Sequence, residues 1–233
     1  MRLLFALLMF CATPLRAQDT DLELVLLADA SGSITEAEIR FQRQGYAQAI
    51  TDPEVLTAIR TTAYGSIAVT YVEWAANQQV VVPWTRIATA EDAEAFAAAL
   101  LAPPRQAFGR NAIGAALLRG RDLIEGNEID GWRKVIDFSG DSPNSYSGPP
   151  VAAARDEVVA AGITINALAI PSERYVRNGR NTLPDIYRDR IIGGFGAFVE
   201  AAETRDDFAE AVKRKLILEI AGPAGRPRDV AGR

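Results

Sequence analysis

The 233-residue chain is 48% hydrophobic and 24% charged, enough apolar material for one sizeable core. Its formal net charge of −5 argues against a nucleic-acid binder, which needs a basic face to displace counterions from phosphates. There is no histidine and a single cysteine, Cys11, which excludes a Ser-His-Asp triad, an internal disulfide and nearly every catalytic zinc arrangement.

The chain opens with Met1-Arg2, the apolar run Leu3 to Cys11 and the small-residue stretch Ala12 to Ala17. This order predicts a secretory signal over residues 1–17, with cleavage after Ala17 and Gln18 as the first mature residue. The apolar run is well short of the ~20 residues that span a bilayer. Leu22 to Ala28 is nearly all apolar, the pattern of a strand buried on both faces. The loop Asp29-Ala30-Ser31-Gly32-Ser33 follows. Thr35 with Glu38 gives a capping-box spacing that opens a helix to Ile50, and Pro53 starts a further turn to Ile59.

Ser66 to Ala75 and Gln79 to Arg86 are rich in Val, Tyr, Trp and Thr and predict a β-hairpin around Ala76-Asn77-Gln78. A helix from Glu91 to Leu101 stops before Pro103-Pro104, and another runs from near Asn111 through Ile124. Trp132 to Ser139 reads as a second buried strand, ended by Gly140-Asp141-Ser142-Pro143-Asn144. Val151 to Ala161 predicts a helix and Ile163 to Ile170 a third strand. Pro171 to Arg190 reads as irregular, with Arg174, Arg177 and Arg180 on a solvated face. Phe198 to Ala201 suggests a short strand, Asp206 to Ile220 an amphipathic helix, and residues 221–233 a disordered Gly-, Pro- and Arg-rich tail.

Strands alternating with helices predict a Rossmann-like, doubly wound, mostly parallel sheet in three α/β/α layers. The hairpin adds one antiparallel edge strand. No internal linker is visible, so residues 18–220 form one domain.

In such sheets ligands bind beyond the carboxyl ends of the strands. Two loops leave that edge carrying oxygen ligands: Asp29-x-Ser31-x-Ser33 and Gly140-Asp141-Ser142. Phe108-Gly109-Arg110-Asn111 lies between them in sequence, at a helix start. Without His or Cys ligands the metals open to such a site are Mg²⁺, Mn²⁺ or Ca²⁺. The plainer alternative is that Ser33 or Thr35 caps a helix and Asp29 merely ends a strand. The second loop at matching topology favours a shared metal site.

Asp29-Ala30-Ser31-Gly32-Ser33 after a buried strand resembles the metal-ion-dependent adhesion site of von Willebrand factor A domains, and the resemblance covers Asp21 to Ile220. Within that superfamily the chain is most similar to a family of secreted bacterial proteins of unknown function. The residues carrying this likeness are Tyr71-Val72-Glu73-Trp74, Val82-Pro83-Trp84, Asp137-Phe138-Ser139-Gly140-Asp141 and Ile191-Ile192-Gly193-Gly194. The resemblance implies a cation held by Asp29, Ser31, Ser33, a middle-loop threonine and Asp141, with an acidic side chain of a protein partner completing the coordination. Here the middle loop carries Asn111 in place of threonine. An amide carbonyl can ligate a hard cation but is longer than a hydroxyl, and adjacent Arg110 opposes the ion. Ser142, Asn144 and Tyr146 are candidate rim contacts for the partner, or part of a solvated turn. Asp137, Trp74 and Trp84 read as structural, and Gly193-Gly194-Phe195-Gly196 as a turn.

These readings favour a non-enzymatic, cation-dependent protein-binding module of the bacterial envelope. Two alternatives stay open. One is a Mg²⁺-dependent phosphoryl-transfer enzyme, although Ser31 stands where an aspartate-nucleophile phosphatase needs a second carboxylate. The other is a scaffold whose metal site has decayed.

Overall fold

The computed structural model describes residues 18–170, 182–204 and 207–223. The proposed signal segment, the Arg174, Arg177 and Arg180 stretch and all but the start of the tail lie outside these residues.

Strand β1 (Gln18–Asp29) runs through the middle of a six-stranded sheet. It pairs in parallel with β2 (Ile67–Trp74) on one side and β4 (Ile129–Gly140) on the other. Beyond β4, β5 (Thr164–Ala169) and β6 (Val199–Ala201) continue in parallel. Strand β3 (Gln78–Ile87) forms the opposite edge, antiparallel to β2. Pro83 lies within β3, where a missing N–H is tolerated because an edge strand has one unpaired side.

Alternation along β1 divides the interior in two. Leu24 and Leu26 face a core shared with α1 (Glu36–Thr51), α2 (Pro53–Arg60), α3 (Ala90–Leu101) and α7 (Phe208–Ala221). Val25 and Leu27 face a second core with α4 (Ile113–Glu125), α5 (Val151–Ala160) and α6 (Leu183–Arg190). The helices that follow neighbouring strands β1 and β4 therefore cover opposite faces. That divergence opens a crevice at the carboxyl ends of β1 and β4, the switch point of the sheet.

Two expectations need correction. Residues 183–190, read as irregular, form α6. Few apolar residues mark it, but Thr182 and Asp185 make a capping box and a proline sits in its first turn, a start signal legible in the sequence. β1 and β4 also begin earlier than the apolar runs suggest. Polar residues and a glycine conceal the extensions: in β1, buried Asp21 accepts from the Thr62 hydroxyl at 2.6 Å and the Tyr64 amide at 2.9 Å, and in β4, the Gly131 amide donates to buried Glu23 at 3.0 Å.

Asp137 is fully buried on the α7 side of β4, where Lys215 Nζ lies 2.8 Å from its carboxylate. Lys215 also pairs with Glu219 at 2.5 Å, and Asn166 donates to Glu219 at 3.0 Å. Burial pushes Glu219 up to about 7, with the Asp137 charge adding and Lys215 opposing. One cation thus serves two buried acids. Lys215→Met leaves both unpaired and is expected to cost about 3–5 kcal/mol in urea unfolding. The loss should shrink as pH falls, because burial raises the folded-state pKa of both acids and they take up protons; a pH-independent loss would contradict this pairing.

Candidate metal centre

Asp29 is the last residue of β1 and is fully buried. Its Oδ1 accepts from the Ser31 amide at 2.8 Å, and its Oδ2 accepts from the Asp141 amide at 3.4 Å. One carboxylate therefore bridges the two strand ends. Ser31 Oγ lies 3.2 Å from Ser33 Oγ, and Ser33 Oγ donates to Asp141 Oδ1 at 3.3 Å. Asp29, Ser31, Ser33 and Asp141 form one continuous set of contacts. Asp29 and Ser31 are buried, Asp141 is half-buried and Ser33 is exposed, so the cluster runs from the interior to the surface.

The register explains this meeting. Leu27 pairs with Phe138, which sets Asp29 beside Gly140. A Cβ on Gly140 would lie 2.9 Å from the Tyr187 hydroxyl and 3.2 Å from Asp29 Oδ2. Only glycine lets β4 end this close to the carboxylate. The Tyr187 hydroxyl then donates to the Ser142 carbonyl at 3.1 Å, and Trp74 Nε1 donates to the Ser139 carbonyl at 3.1 Å. Both hold the loop after β4. Tyr187 belongs to α6, so the helix the sequence pattern missed also hid this contact.

The middle loop reaches the other two. The Gly32 amide donates to the Gly109 carbonyl at 2.8 Å, and the Tyr146 amide donates to the Asn111 carbonyl at 2.8 Å. Gly109 adopts φ 102°, and a Cβ there would meet Ala76 Cβ at 2.8 Å. The Asn111 side chain is 6% exposed, and its buried Nδ2 has no hydrogen-bond partner. It is not part of the contacts that join the other four residues. Rotation of the amide plane by half a turn exchanges Nδ2 with the acceptor Oδ1. The Arg110 guanidinium stacks on the Tyr146 ring at 3.9 Å.

Of the rim residues, Asn144 and Tyr146 are exposed and Ser142 is half-buried. They adjoin an open depression of about 460 Å³ whose wall includes Pro149 and Arg190. Glu73, Trp74 and Trp84 are packing residues. Glu73 is buried against Arg43 at 2.6 Å, Trp74 stacks on Phe138 at 5.0 Å, and Trp84 donates to the Leu123 carbonyl at 3.2 Å.

A residue that the sequence pattern gave no reason to single out is Arg105, between α3 and α4. Its guanidinium donates to the carbonyls of Ala30, Ser31 and Ile34, all in the β1–α1 loop, and to Ala107 in its own linker. No periodicity or turn signal marks Arg105.

Burial pushes Asp29 up to about 7, the Asp141 charge adds to the shift, and the bonds from Ser31 oppose it. A cation would relieve both the burial cost and the repulsion. The donors are carboxylates, hydroxyls and one buried, unpaired amide. These are hard oxygen ligands, and they fit Mg²⁺, Mn²⁺ or Ca²⁺.

A doubly wound sheet bearing this aspartate–serine loop at its switch point has the von Willebrand factor A-like fold. The chain belongs to the family described as "Protein of unknown function (DUF1194)", which it matches over residues 19–224. Solved structures place the fold among relatives of low identity. The chain is similar to the von Willebrand factor type A protein of Catenulispora acidiphila, at 17% identity and TM-score 0.61, over 87% of this chain and 43% of that one. It is also similar to the pilus adhesin SpaC of Lactobacillus rhamnosus GG, at 15% identity and TM-score 0.59, over 86% and 31%. A third similar structure is proximal thread matrix protein 1 of the mussel byssus, described with a zinc-occupied MIDAS motif, at 18% identity and TM-score 0.60, over 88% and 49%. The chain thus spans less than half the length of each. No curated protein matches it.

The raised Asp29 pKa has a sign that can be checked. The folded, metal-free protein holds this proton up to about pH 7, whereas the unfolded chain releases it near 3.8. The resulting stabilisation is complete below the unfolded value and is lost as pH rises through the folded one. Asp29→Asn keeps the acceptor for Ser31 and carries no charge. In chelator, urea midpoints of the variant should exceed those of the wild type at about pH 8 and converge at about pH 4. A gap that does not widen with pH would contradict the buried-acid account.

Proposed function

We propose that this chain is a non-enzymatic, divalent-cation-dependent protein-binding module of the bacterial envelope. The observation that carries the reading is the contact between two loops, where Asp29, Ser31, Ser33 and Asp141 share one set of hydrogen bonds open to solvent at Ser33. These four residues, with the Asn111 amide as a fifth, would hold Mg²⁺, or Mn²⁺ or Ca²⁺ in its place. Once bound, the ion supplies a positive charge able to accept an oxygen from a partner carboxylate. Asn144 and Tyr146, exposed beside it, would contact the rest of that partner, and Ser142 would shape the loop that presents them.

Several features support binding over catalysis. The β1–α1, middle and post-β4 loops contain neither lysine nor cysteine, and the chain has no histidine. Ser31 replaces the second carboxylate that an aspartate-nucleophile phosphatase would need, which disfavours phosphoryl transfer. The named neighbours include an adhesin and a matrix protein. Export through residues 1–17, with residues 18–220 as the domain and 221–233 as a tail, completes the proposal. No helix among the described residues is long and apolar enough to cross a membrane.

Thermal unfolding tests the cation. Mg²⁺ or Mn²⁺ at about a hundred times its dissociation constant should stabilise the wild type by roughly 2.7 kcal/mol. Asp29→Ala should show no such shift, and equal shifts in both proteins would refute the site. The decayed-scaffold reading has its own observation in Asn111. Asn111→Thr should tighten Mn²⁺ binding about tenfold, some 1.4 kcal/mol. A wild type that captures a partner from envelope extract equally well with and without chelator would favour the scaffold.

A further inference from the structure

We propose that Arg105 is the positioning residue of the metal centre, a clasp that holds the β1–α1 loop in its ligand-presenting form. The inference rests on the cation-site reading above. The Arg105 fork donates to Ile34 O at 3.0 Å, to Ser31 O at 3.1 Å and to Ala30 O, while Nε donates to Ala107 O at 2.7 Å. Three carbonyls of one short loop thus converge on a single planar group. The Ser31 carbonyl also accepts from the Ile34 amide at 2.9 Å, but a loop this short offers few such backbone donors, and leaving a buried carbonyl unbonded is costly. Gathering the carbonyls at the guanidinium fixes the intervening peptide planes. The Ser31 and Gly32 amides are then committed to Asp29 and Gly109, at 2.8 Å each, and the two serine hydroxyls are held 3.2 Å apart.

The clasp is itself anchored. Arg43 donates to the carbonyls of Pro103 and Pro104 and pairs with buried Glu73 at 2.6 Å. The other Glu73 oxygen accepts from the Gln106 amide at 2.6 Å. Asn77 brackets the same linker, donating to Gln106 O at 3.2 Å and accepting from the Phe108 amide at 2.8 Å. Arg105 therefore projects from a segment tied at Pro103, Pro104, Gln106 and Phe108. That segment leads directly to Gly109 and Asn111, so Arg105 couples the first loop of the centre to the middle one. Its carboxylate contact, Glu36 at 3.7 Å, is 58% exposed and contributes little to this role. Lysine retains the charge, but its three donors sit on one nitrogen and cannot reproduce a planar fork that bonds through Nε and both terminal nitrogens.

The test compares the wild type, Arg105→Lys, Arg105→Gln and the control Glu36→Ala by two readouts. The first is amide hydrogen exchange in the metal-free protein. Ser31, Gly32 and Ile34 should exchange about tenfold faster or more in both Arg105 variants, with Val25 and Phe138 unchanged as the measure of an intact core. The second is the Mn²⁺ dissociation constant, expected to rise about tenfold in both variants and to stay within about twofold in Glu36→Ala. Unchanged loop exchange in either Arg105 variant overturns the clasp. So does faster exchange with unchanged Mn²⁺ affinity, because the order Arg105 imposes would then not serve the site. If the wild type itself takes up no Mn²⁺, the cation reading falls, and with it the role of Arg105 at a metal; the exchange rates still decide whether it orders the loop.

Discussion

The constraint on which the structure turns is the approach of two carboxylates, Asp29 and Asp141, at the ends of adjacent parallel strands. Asp29 is completely buried and held near pKa 7 by loss of water and by its neighbour's charge. A buried acid next to a second acid is unfavourable unless a proton or a cation intervenes. The protein surrounds this unfavourable point with the Ser31 and Asp141 amides and the two serine hydroxyls, and Gly140 lets β4 end within reach. Such an arrangement has a physical rationale if a divalent ion completes it.

The doubly wound sheet supplies the place. Helices α1 and α5 leave β1 and β4 on opposite faces, which parts the chain at the two strand ends. The flanking rings Trp74, Phe138 and Tyr187 fill the space beneath the loops, and Trp74 and Tyr187 also bond the backbone after β4. Apolar packing and polar anchoring thus act on the same few residues. A second set of buried charges, Arg43 with Glu73, fixes the linker before α4, and Arg105 carries that order to the first loop. Buried ion pairs here set geometry where a purely apolar core would leave loops free to drift.

Much of the architecture was legible because strands buried on both faces are rich in apolar residues, as Leu24 to Ala28 of β1, Val135, Ile136 and Phe138 of β4 and Ile165, Ala167 and Leu168 of β5 are. The β2–β3 hairpin was equally plain, since its Val, Tyr and Trp content has no helical period. Failures arose where polar residues perform structural work. The polar residues Gln18 to Asp21 disguise the start of β1, and α6 is too polar for its apolar face to register although its capping box was present. At the site, Asp29, Ser31, Ser33 and Asp141 could be named because spacing and topology put them on one edge, and the fold joins them. The Asn111 side chain is brought near through its loop but not into the same contacts. Arg105 was beyond reach of the sequence pattern, because its partners are backbone carbonyls more than seventy residues away. Side chains that bind backbone leave no compositional trace.

The membership of this chain in a family without an assigned function makes the centre itself the most informative target. Anomalous diffraction from crystals grown with Mn²⁺ addresses it most directly. The account predicts one manganese peak at about 2.0–2.4 Å from the Ser31 and Ser33 hydroxyls, with the Asp29 and Asp141 carboxylates around it. Ordered loops with no manganese there, or manganese bound elsewhere on the surface, would contradict it.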